Sequence, residues 1–81
     1  MKFKLSVHAK DVMKNRNIIE DWVYAILDNP SVTQEIDIDE MHLYGIVHEY
    51  NARCLKVVVN PLKNLVITTY FDRKMKKKGC K

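Results

Sequence analysis

The order of apolar and polar residues predicts a short strand at the start of the chain. The sequence MKFKLSV alternates between apolar and polar residues, and this two-residue period is typical of a strand. Ser6 is a suitable N-cap for a following helix of about two turns, from His8 to Lys14. The polar residues 15–17, with the sequence NRN, should end this helix.

A second, longer helix is predicted before Pro30. Its apolar residues recur at helical spacing and would form one buried face. They are Ile18, Trp22, Val23, Ile26 and Leu27. Asn17 followed by Glu20 resembles a capping box in which Asn replaces Ser or Thr. The helix should end at Asp28-Asn29, because the residue before a proline avoids helical geometry. We expect Trp22 to be buried against a sheet.

After Pro30 the sequence pattern becomes that of β-strands. The segments VTQEIDID, MHLYGIVHEY, RCLKVVVN and LVITTYF are rich in β-branched and aromatic residues. Between the last two, the sequence NPLKN has the composition of a hairpin turn. The predicted fold class is therefore α+β: a short N-terminal strand, two helices, and a three- to four-stranded antiparallel sheet with the helices on one face.

Strand parity predicts which side chains share each face of this sheet. The side chains expected to face the helices in the last two strands are Leu55, Val57, Val59, Leu65, Ile67 and Phe71. The side chains expected on the open face are His42, Tyr44, His48, Lys56, Thr68 and Tyr70, with Arg53 and Arg73 near its edges. Imidazole, ammonium and phenol groups on a sheet suit RNA, although polar aromatic residues are also common on solvated faces without any function.

The charged residues are distributed unevenly along the 81 residues, which suffice for one domain. Residues 31–50 carry five acidic side chains and no Lys or Arg, whereas residues 51–81 carry nine basic side chains and one acidic one. A basic C-terminal third suits a polyanion such as RNA, but it could also serve only solubility. We expect a domain over residues 1–74 and a basic flexible tail over residues 75–81. The residues expected to contact nucleic acid are Lys10, Lys14, Arg53, Arg73, Lys74, Lys76, Lys77 and Lys78.

Cys54 and Cys80 are the only cysteines, and two isolated cysteines predict free thiols rather than a disulfide framework or a zinc site. The acidic run near Asp37 lacks the ligand spacing of a calcium loop. We therefore expect no metal and no cofactor. No apolar run approaches the roughly 20 residues that span a bilayer, and the N-terminus has no signal-peptide pattern, so the expected location is the cytoplasm.

Several short sequence features, in their order along the chain, resemble a family of small bacterial domains of unknown function. They are the pair His8-Ala9, the basic residue Arg16 before Ile18, Pro30 after the second helix, and the strand VITTY at residues 66–70. The resemblance spans about residues 3–74. This family in turn resembles the RelE- and BrnT-like toxins, within the larger group of barnase-, EndoU-, colicin- and RelE-like ribonuclease folds.

The resemblance implies a RelE/barnase-like α+β domain that acts as a metal-independent endoribonuclease of a toxin–antitoxin pair. The implied partners are RNA, either mRNA or ribosome-bound RNA, and a cognate antitoxin. Such cleavage would use the RNA 2′-hydroxyl as nucleophile. We expect His8 to be the base, since a helix N-terminus favours an anion and disfavours a protonated imidazole. Arg16 or Lys56 would be the cation, and His48 or Tyr70 the acid.

Two alternatives to a ribonuclease remain at this point. The first is a noncatalytic RNA-binding or protein-interaction domain of the same fold, which would use the same basic surface. The second is a small domain whose function is unrelated to nucleic acid. His8 could then be a helix-start residue bonded to backbone or water, and Arg16 a solvated turn residue.

Overall fold

A five-stranded mixed sheet organises the protein, whose computed structural model describes residues 3–77 and residue 80. The elements in chain order are β1 (Lys4–Leu5), α1 (Val7–Arg16), α2 (Glu20–Asp28), β2 (Val32–Asp37), β3 (Glu40–Val47), a 3₁₀ turn (His48–Tyr50), β4 (Arg53–Asn60), β5 (Leu65–Phe71) and α3 (Arg73–Lys77). The predicted α+β class is confirmed. No helix within the described residues is long and apolar enough to cross a membrane.

The strand order across the sheet is β1-β5-β4-β3-β2. Strands β2 to β5 follow one another as antiparallel neighbours, whereas β1 pairs with β5 in parallel. The predicted sheet of three or four antiparallel strands is therefore too small. The short N-terminal strand joins the same sheet, because its backbone N–H groups bond to carbonyl groups along the outer edge of β5. Lys4 N–H donates to the Asn64 carbonyl at 2.8 Å, and Ser6 N–H donates to the Val66 carbonyl at 3.1 Å.

Helix α1 begins at the predicted cap and is longer than predicted. The Ser6 hydroxyl oxygen accepts a 3.0 Å hydrogen bond from Ala9 N–H, as an N-cap does. The helix ends at Asn17, whose φ of 56° is a left-handed conformation that Asn tolerates. Helix α2 instead follows Ile19 and has no side-chain cap. The predicted capping box of Asn17 and Glu20 is therefore wrong, because Asn17 ends the preceding helix.

The core lies between the sheet and the helices α1 and α2. It is formed by Phe3, Ala9, Met13, Ile18, Val23, Ile26, Leu27, Leu43, Val47, Leu55, Val57, Val59 and Val66. The predicted inner face of β4, namely Leu55, Val57 and Val59, is confirmed, and each of these side chains is fully buried. Trp22 is only half-buried and packs at the border of this core, so the expected burial holds in part.

A β-bulge interrupts the pairing of β4 with β5. Val59 pairs with Val66, whereas the preceding residue Val58 pairs with Thr68, which leaves Ile67 as an extra residue in β5. Such an insertion reverses the side-chain alternation on one side of the bulge. Ile67 is accordingly exposed on the surface of the sheet.

The bulge overturns part of the predicted face assignment in β5. Leu65 and Ile67 were predicted to face the helices, but neither belongs to the core. Val66 and Thr69 are fully buried instead. The buried hydroxyl of Thr69 is satisfied, because it donates a 2.7 Å hydrogen bond to the Lys56 carbonyl. Beyond the bulge, the predicted alternation is restored towards Phe71, which packs against the core.

The last part of the chain folds back onto the face of the sheet that α1 and α2 leave open. Cys54 and Cys80 form a disulfide, so the prediction of two free thiols is wrong. Their Cα atoms lie 5.6 Å apart, a separation that a disulfide can bridge. The two cysteines are this close because α3 returns the chain to β4. Met75 of α3 is buried against Cys54 and Tyr44.

The tail expected over residues 75–81 lies partly outside the described residues, which exclude 78, 79 and 81. Within the described part, residues 75–77 belong to α3, and Met75 and Cys80 are buried.

We predict that Gly45→Ala lowers the free energy of unfolding by about 1–3 kcal/mol, as overpacking of a core does. An added Cβ at Gly45 would lie 2.6 Å from Cγ1 of Ile26, where α2 crosses β3. Urea denaturation followed by circular dichroism measures the effect. In an Ile26→Ala background the same substitution should destabilise the protein much less. Equal effects in both backgrounds would contradict the argument that contact with Ile26 requires glycine here.

Candidate functional site

Three arginines from three separate elements meet at one end of the sheet. Arg16 is the last residue of α1, Arg53 the first residue of β4, and Arg73 the first residue of α3. They line a cleft of about 600 Å³, which we call the arginine cleft. The other residues that line it are Tyr50, Cys54, Phe71 and Asp72.

The course of the backbone explains why these arginines meet. Helix α1 starts beside β5, where the Ser6 hydroxyl donates a 3.1 Å hydrogen bond to the Ile67 carbonyl, and packs along that strand. Its last residue, Arg16, therefore lies near the end of β5. The first turn of α3 is fixed to the same end of the sheet, because Asp72 N–H donates to the Cys54 carbonyl at 2.9 Å.

Three aromatic rings pack together beside the arginines. The ring centre of Tyr50 lies 5.6 Å from that of Trp22 and 5.1 Å from that of Phe71, distances typical of packed aromatic pairs. The guanidinium carbon of Arg53 lies 5.0 Å from the centre of the Tyr50 ring, in a cation–π contact. The rings thus hold Tyr50 and Arg53 in position at the side of the cleft.

The arginine cleft has an excess of positive charge. All three guanidinium groups belong to exposed residues, and within residues 3–77 and 80 none of them forms an ion pair with a carboxylate. Asp72 is the acidic residue of the lining, and its carboxylate accepts a 3.0 Å hydrogen bond from Met75 N–H at the start of α3. The guanidinium donors therefore remain available to an external anion.

A second cluster of predicted residues lies on the open face of the sheet. Tyr44, Lys56 and Tyr70 are direct neighbours across three strands. The ammonium nitrogen of Lys56 lies 5.8 Å from the ring centre of Tyr44 and 5.2 Å from that of Tyr70. Burial by itself would lower the pKa of Lys56, but interactions with the phenol groups of Tyr70 and Tyr44 outweigh it and raise this pKa above its ordinary value. Lys56 is therefore a persistent cation.

The predicted grouping of these side chains is largely confirmed, but the face is not fully open, because Tyr44 is buried and packs with Met75 of α3. Register places His42, Tyr44, Lys56, Thr68 and Tyr70 on the same side of the sheet. His42 contacts Glu40 at 2.7 Å, and the Tyr44 hydroxyl donates to the Gln34 side-chain oxygen at 3.3 Å.

His48 does not share the predicted open face. It lies in the exposed 3₁₀ turn after β3, because the strand ends at Val47. In that turn it stands two residues before Tyr50, which lines the arginine cleft.

The structure therefore does not gather the predicted catalytic residues into one site. His8 is exposed in the first turn of α1, eight residues before Arg16, which corresponds to roughly 12 Å along the helix axis. It is not among the residues that line the arginine cleft. Lys56 and Tyr70 face the opposite side of the sheet from the core.

The predicted nucleic-acid contacts also divide among several surfaces. Arg53 and Arg73 line the arginine cleft, whereas Lys10 and Lys14 border a separate hollow beside α1. Lys74 is exposed on α3. The side chains of Lys76 and Lys77, and the whole of Lys78, lie outside the described residues.

Sequence reasoning missed the aromatic part of the arginine cleft. Tyr50 was not among the predicted site residues, and Phe71 was assigned only to the core. One sequence signal could have indicated a turn after Tyr50. The next residue is Asn51, a residue type that tolerates the left-handed conformation, and its φ is 57°. The resulting turn brings Arg53 back over the Tyr50 ring. Among the described residues, no group of three or more His, Cys, Asp or Glu side chains could hold a metal ion.

Comparison with known proteins gives a family but no solved relative. A segment of the protein described as Lon protease from Acinetobacter baumannii (strain AB307-0294) is 29% identical over 75 residues. That similarity covers 83% of this chain, but the chain spans only 9% of the length of that relative. No solved structure matches the chain.

A family model with the description "Domain of unknown function (DUF4258)" matches residues 5–71. The expected membership in a family of small domains of unknown function is confirmed, while none of these comparisons names a RelE- or BrnT-like toxin. The match extends over most of the 81 residues, from β1 to the end of β5. The chain therefore belongs to the DUF4258 family.

Proposed function

We propose that this domain binds single-stranded RNA in the arginine cleft. The observation that carries the proposal is the meeting of Arg16, Arg53 and Arg73 around one cleft, together with the aromatic rings of Tyr50 and Phe71. Proteins that bind unpaired strands combine cations that follow the phosphates with aromatic rings on which bases stack. The arginine cleft supplies both kinds of group within about 600 Å³.

The guanidinium groups suit phosphate for geometric as well as electrostatic reasons. Arginine is planar, always charged, and donates two parallel hydrogen bonds to one phosphate. Because Arg16, Arg53 and Arg73 come from separate elements, they approach the cleft from different directions. Such an arrangement can bind more than one phosphate of a strand that bends through the cleft.

The rings favour an unpaired base over a base in a duplex. A base can stack on an aromatic ring or on a guanidinium plane only after it leaves its own helical stack. Arg53 lies over the Tyr50 ring, so a base can stack on the guanidinium plane or on the part of the ring that stays exposed, and the contacts of Tyr50 with Trp22 and Phe71 restrain that ring. A restrained ring loses little conformational entropy when a base stacks on it.

The distribution of charge along the sheet supports binding at this end. Val47 pairs with Arg53 at the cleft end of the β3–β4 hairpin, whereas Met41 pairs with Val59 at the far end. The acidic turn that joins β2 to β3 lies beyond Met41. Met41 is six residues before Val47 in the same strand, so this turn lies roughly 20 Å from the cleft end. The acidic side chains thus lie far from the arginines, so they do little to weaken the attraction of the cleft for a polyanion.

A second candidate function is metal-independent cleavage of the bound RNA, as in the RelE- and BrnT-like toxins that the sequence resembles. One observation favours it: His48 lies in the same 3₁₀ turn as Tyr50 of the cleft. In this reaction the 2′-oxygen attacks phosphorus while its proton passes to solvent water, and the bond to the 5′-oxygen breaks. Arg16 would stabilise the negative charge that develops, and His48 would donate a proton to the leaving 5′-oxygen.

A toxin of this kind would act on cellular RNA and would be neutralised by a cognate antitoxin. The arginine cleft supports this proposal, because an acidic protein segment that fills it would compete with RNA for the same three guanidinium groups. The similarity to a segment of a Lon protease supports instead a binding module that can be joined to a larger enzyme. In either setting, binding in the cleft is the common step.

We predict that Arg16→Ala, Arg53→Ala and Arg73→Ala each weaken binding of a labelled single-stranded RNA by about tenfold, the loss expected for one charge-assisted contact. Fluorescence anisotropy at several salt concentrations measures it. Each substitution should also reduce the slope of log affinity against log salt by about 0.7, since one phosphate contact is lost.

Lys63→Ala is the matched control for these variants. Lys63 is exposed in the turn between β4 and β5, at the other end of β4 from Arg53. Its substitution therefore removes one positive charge, as the arginine variants do, but far from the cleft. Its effect should stay below about twofold, as for a distant screened charge. An equal loss of affinity in Lys63→Ala would show that net charge alone attracts RNA, and would refute binding of RNA in the arginine cleft.

The cleavage candidate predicts a 2′,3′-cyclic phosphate product when the protein is incubated with RNA in the presence of a chelator. His48→Ala should slow its formation by at least about 100-fold, as loss of an acid catalyst does, without weakening RNA binding. His8→Ala should leave the rate unchanged, because His8 does not line the cleft. Mass spectrometry identifies the product. Binding without any product would mean that the domain is noncatalytic.

A further inference from the structure

The disulfide lies at the wall of the arginine cleft. Cys54 lines the cleft next to Arg53 in β4, and its partner Cys80 follows α3. The loop that the disulfide closes spans 26 residues and includes all of β5 and α3. The redox state of this bond therefore bears directly on the segment that carries Arg73.

Helix α3 depends on its attachments, because five residues make little more than one turn and such a helix is not stable alone. Its start is held by the hydrogen bond from Asp72 N–H to the Cys54 carbonyl. Its middle is held by the buried side chain of Met75. Its end is held by Cys80, whose N–H donates to the Met75 carbonyl at 2.7 Å and whose sulfur is bonded to Cys54.

We infer that the Cys54–Cys80 disulfide is a redox control on RNA binding in the arginine cleft. The oxidised form holds α3 against β4 and keeps Arg73 at the cleft. In the reduced form the hydrogen bond of Asp72 and the side chain of Met75 are the attachments that remain, and they are too few to hold a helix of one turn in place, so Arg73 loses its fixed position. This inference rests on the proposed function, since it concerns affinity for RNA at the same site. A cellular or added dithiol is the reductant: it becomes a disulfide, while Cys54 and Cys80 each gain one electron and one proton.

The position of Arg73 explains why reduction should weaken binding. Arg73 is the first residue of α3 and is exposed at the cleft, whereas Arg16 and Arg53 belong to elements anchored in the main core. Release of α3 thus affects one of the three guanidinium groups and leaves the other two in place. The effect should equal the loss of one phosphate contact.

The same helix also covers part of the open face, which gives an opposite outcome that can be tested. Tyr44 is only 3% exposed and packs with Met75, next to Lys56 in the neighbouring strand. If release of α3 chiefly uncovered Tyr44 as a stacking surface, reduction would strengthen RNA binding. That result would overturn the inference and make α3 a cover over the Tyr44–Lys56 cluster.

The test compares the full chain in its oxidised form with the same protein in dithiothreitol, using a labelled single-stranded RNA. We expect reduction to weaken binding by about tenfold and to reduce the salt slope by about 0.7. The Cys54→Ser/Cys80→Ser variant should bind like the reduced protein and should not respond to dithiothreitol. In Arg73→Ala, reduction should cause no further loss, because the affected cation is already absent.

Limited trypsin digestion supplies a readout that does not depend on RNA. Cleavage after Arg73 and Lys74 should be slow in the oxidised protein and fast in the reduced one, since α3 becomes accessible. Unchanged cleavage, or equal RNA affinity in both states, would refute the redox inference. If reduction accelerates cleavage but neither state binds RNA, α3 is tethered as inferred while the proposed function, and with it the control of binding, is wrong.

Discussion

The burial of β4 on both faces is the constraint on which the other features depend. Leu55, Val57 and Val59 pack under the helices, whereas Cys54 is covered from the other side by α3. Between Cys54 and Val59 only Lys56 is partly exposed, so β3, β5 and the helices must pack around this strand in a fixed register to exclude water from it. Strand β4 begins at Arg53, which lines the cleft, and ends at Asn60, where the hairpin turn begins.

This central strand separates two chemically different surfaces. At its start, Arg53 joins the arginines of α1 and α3 in a cleft that suits phosphate and an unpaired base. In its middle, Lys56 lies half-buried between Tyr44 and Tyr70, which keep it protonated. Within the described residues, Arg53 contacts one tyrosine ring and Arg16 and Arg73 contact none, whereas Lys56 lies against two. This contrast supports the proposal that RNA binds at the cleft and not on the open face.

The disulfide contributes to both stability and placement in so small a chain. A loop of 26 residues closed by a disulfide is worth about 3.5 kcal/mol in the chain-entropy description, a large share of the stability of a domain this size. It also fixes a helix that has too few residues to hold itself in place. Arg73, the first residue of this helix, thereby lies at the wall of the cleft.

Local sequence determined the elements whose signals are local. The N-cap at Ser6, the apolar face of α2, the hairpin turn after Asn60 and the inner face of β4 all follow from neighbouring residues. Tertiary structure decided the rest: the bulge at Ile67, the pairing of β1 with β5, and the disulfide between Cys54 and Cys80.

The arginine cleft shows the same division. Its three arginines were each identifiable as basic residues, and two of them were expected to bind nucleic acid. Their meeting with Tyr50 and Phe71 was not predictable, because Arg16 and Arg73 are separated by 57 positions and come together only when α1 packs along β5 and α3 folds back to β4. Residue type and periodicity depend on neighbours within a few positions, whereas a cleft depends on packing between distant segments.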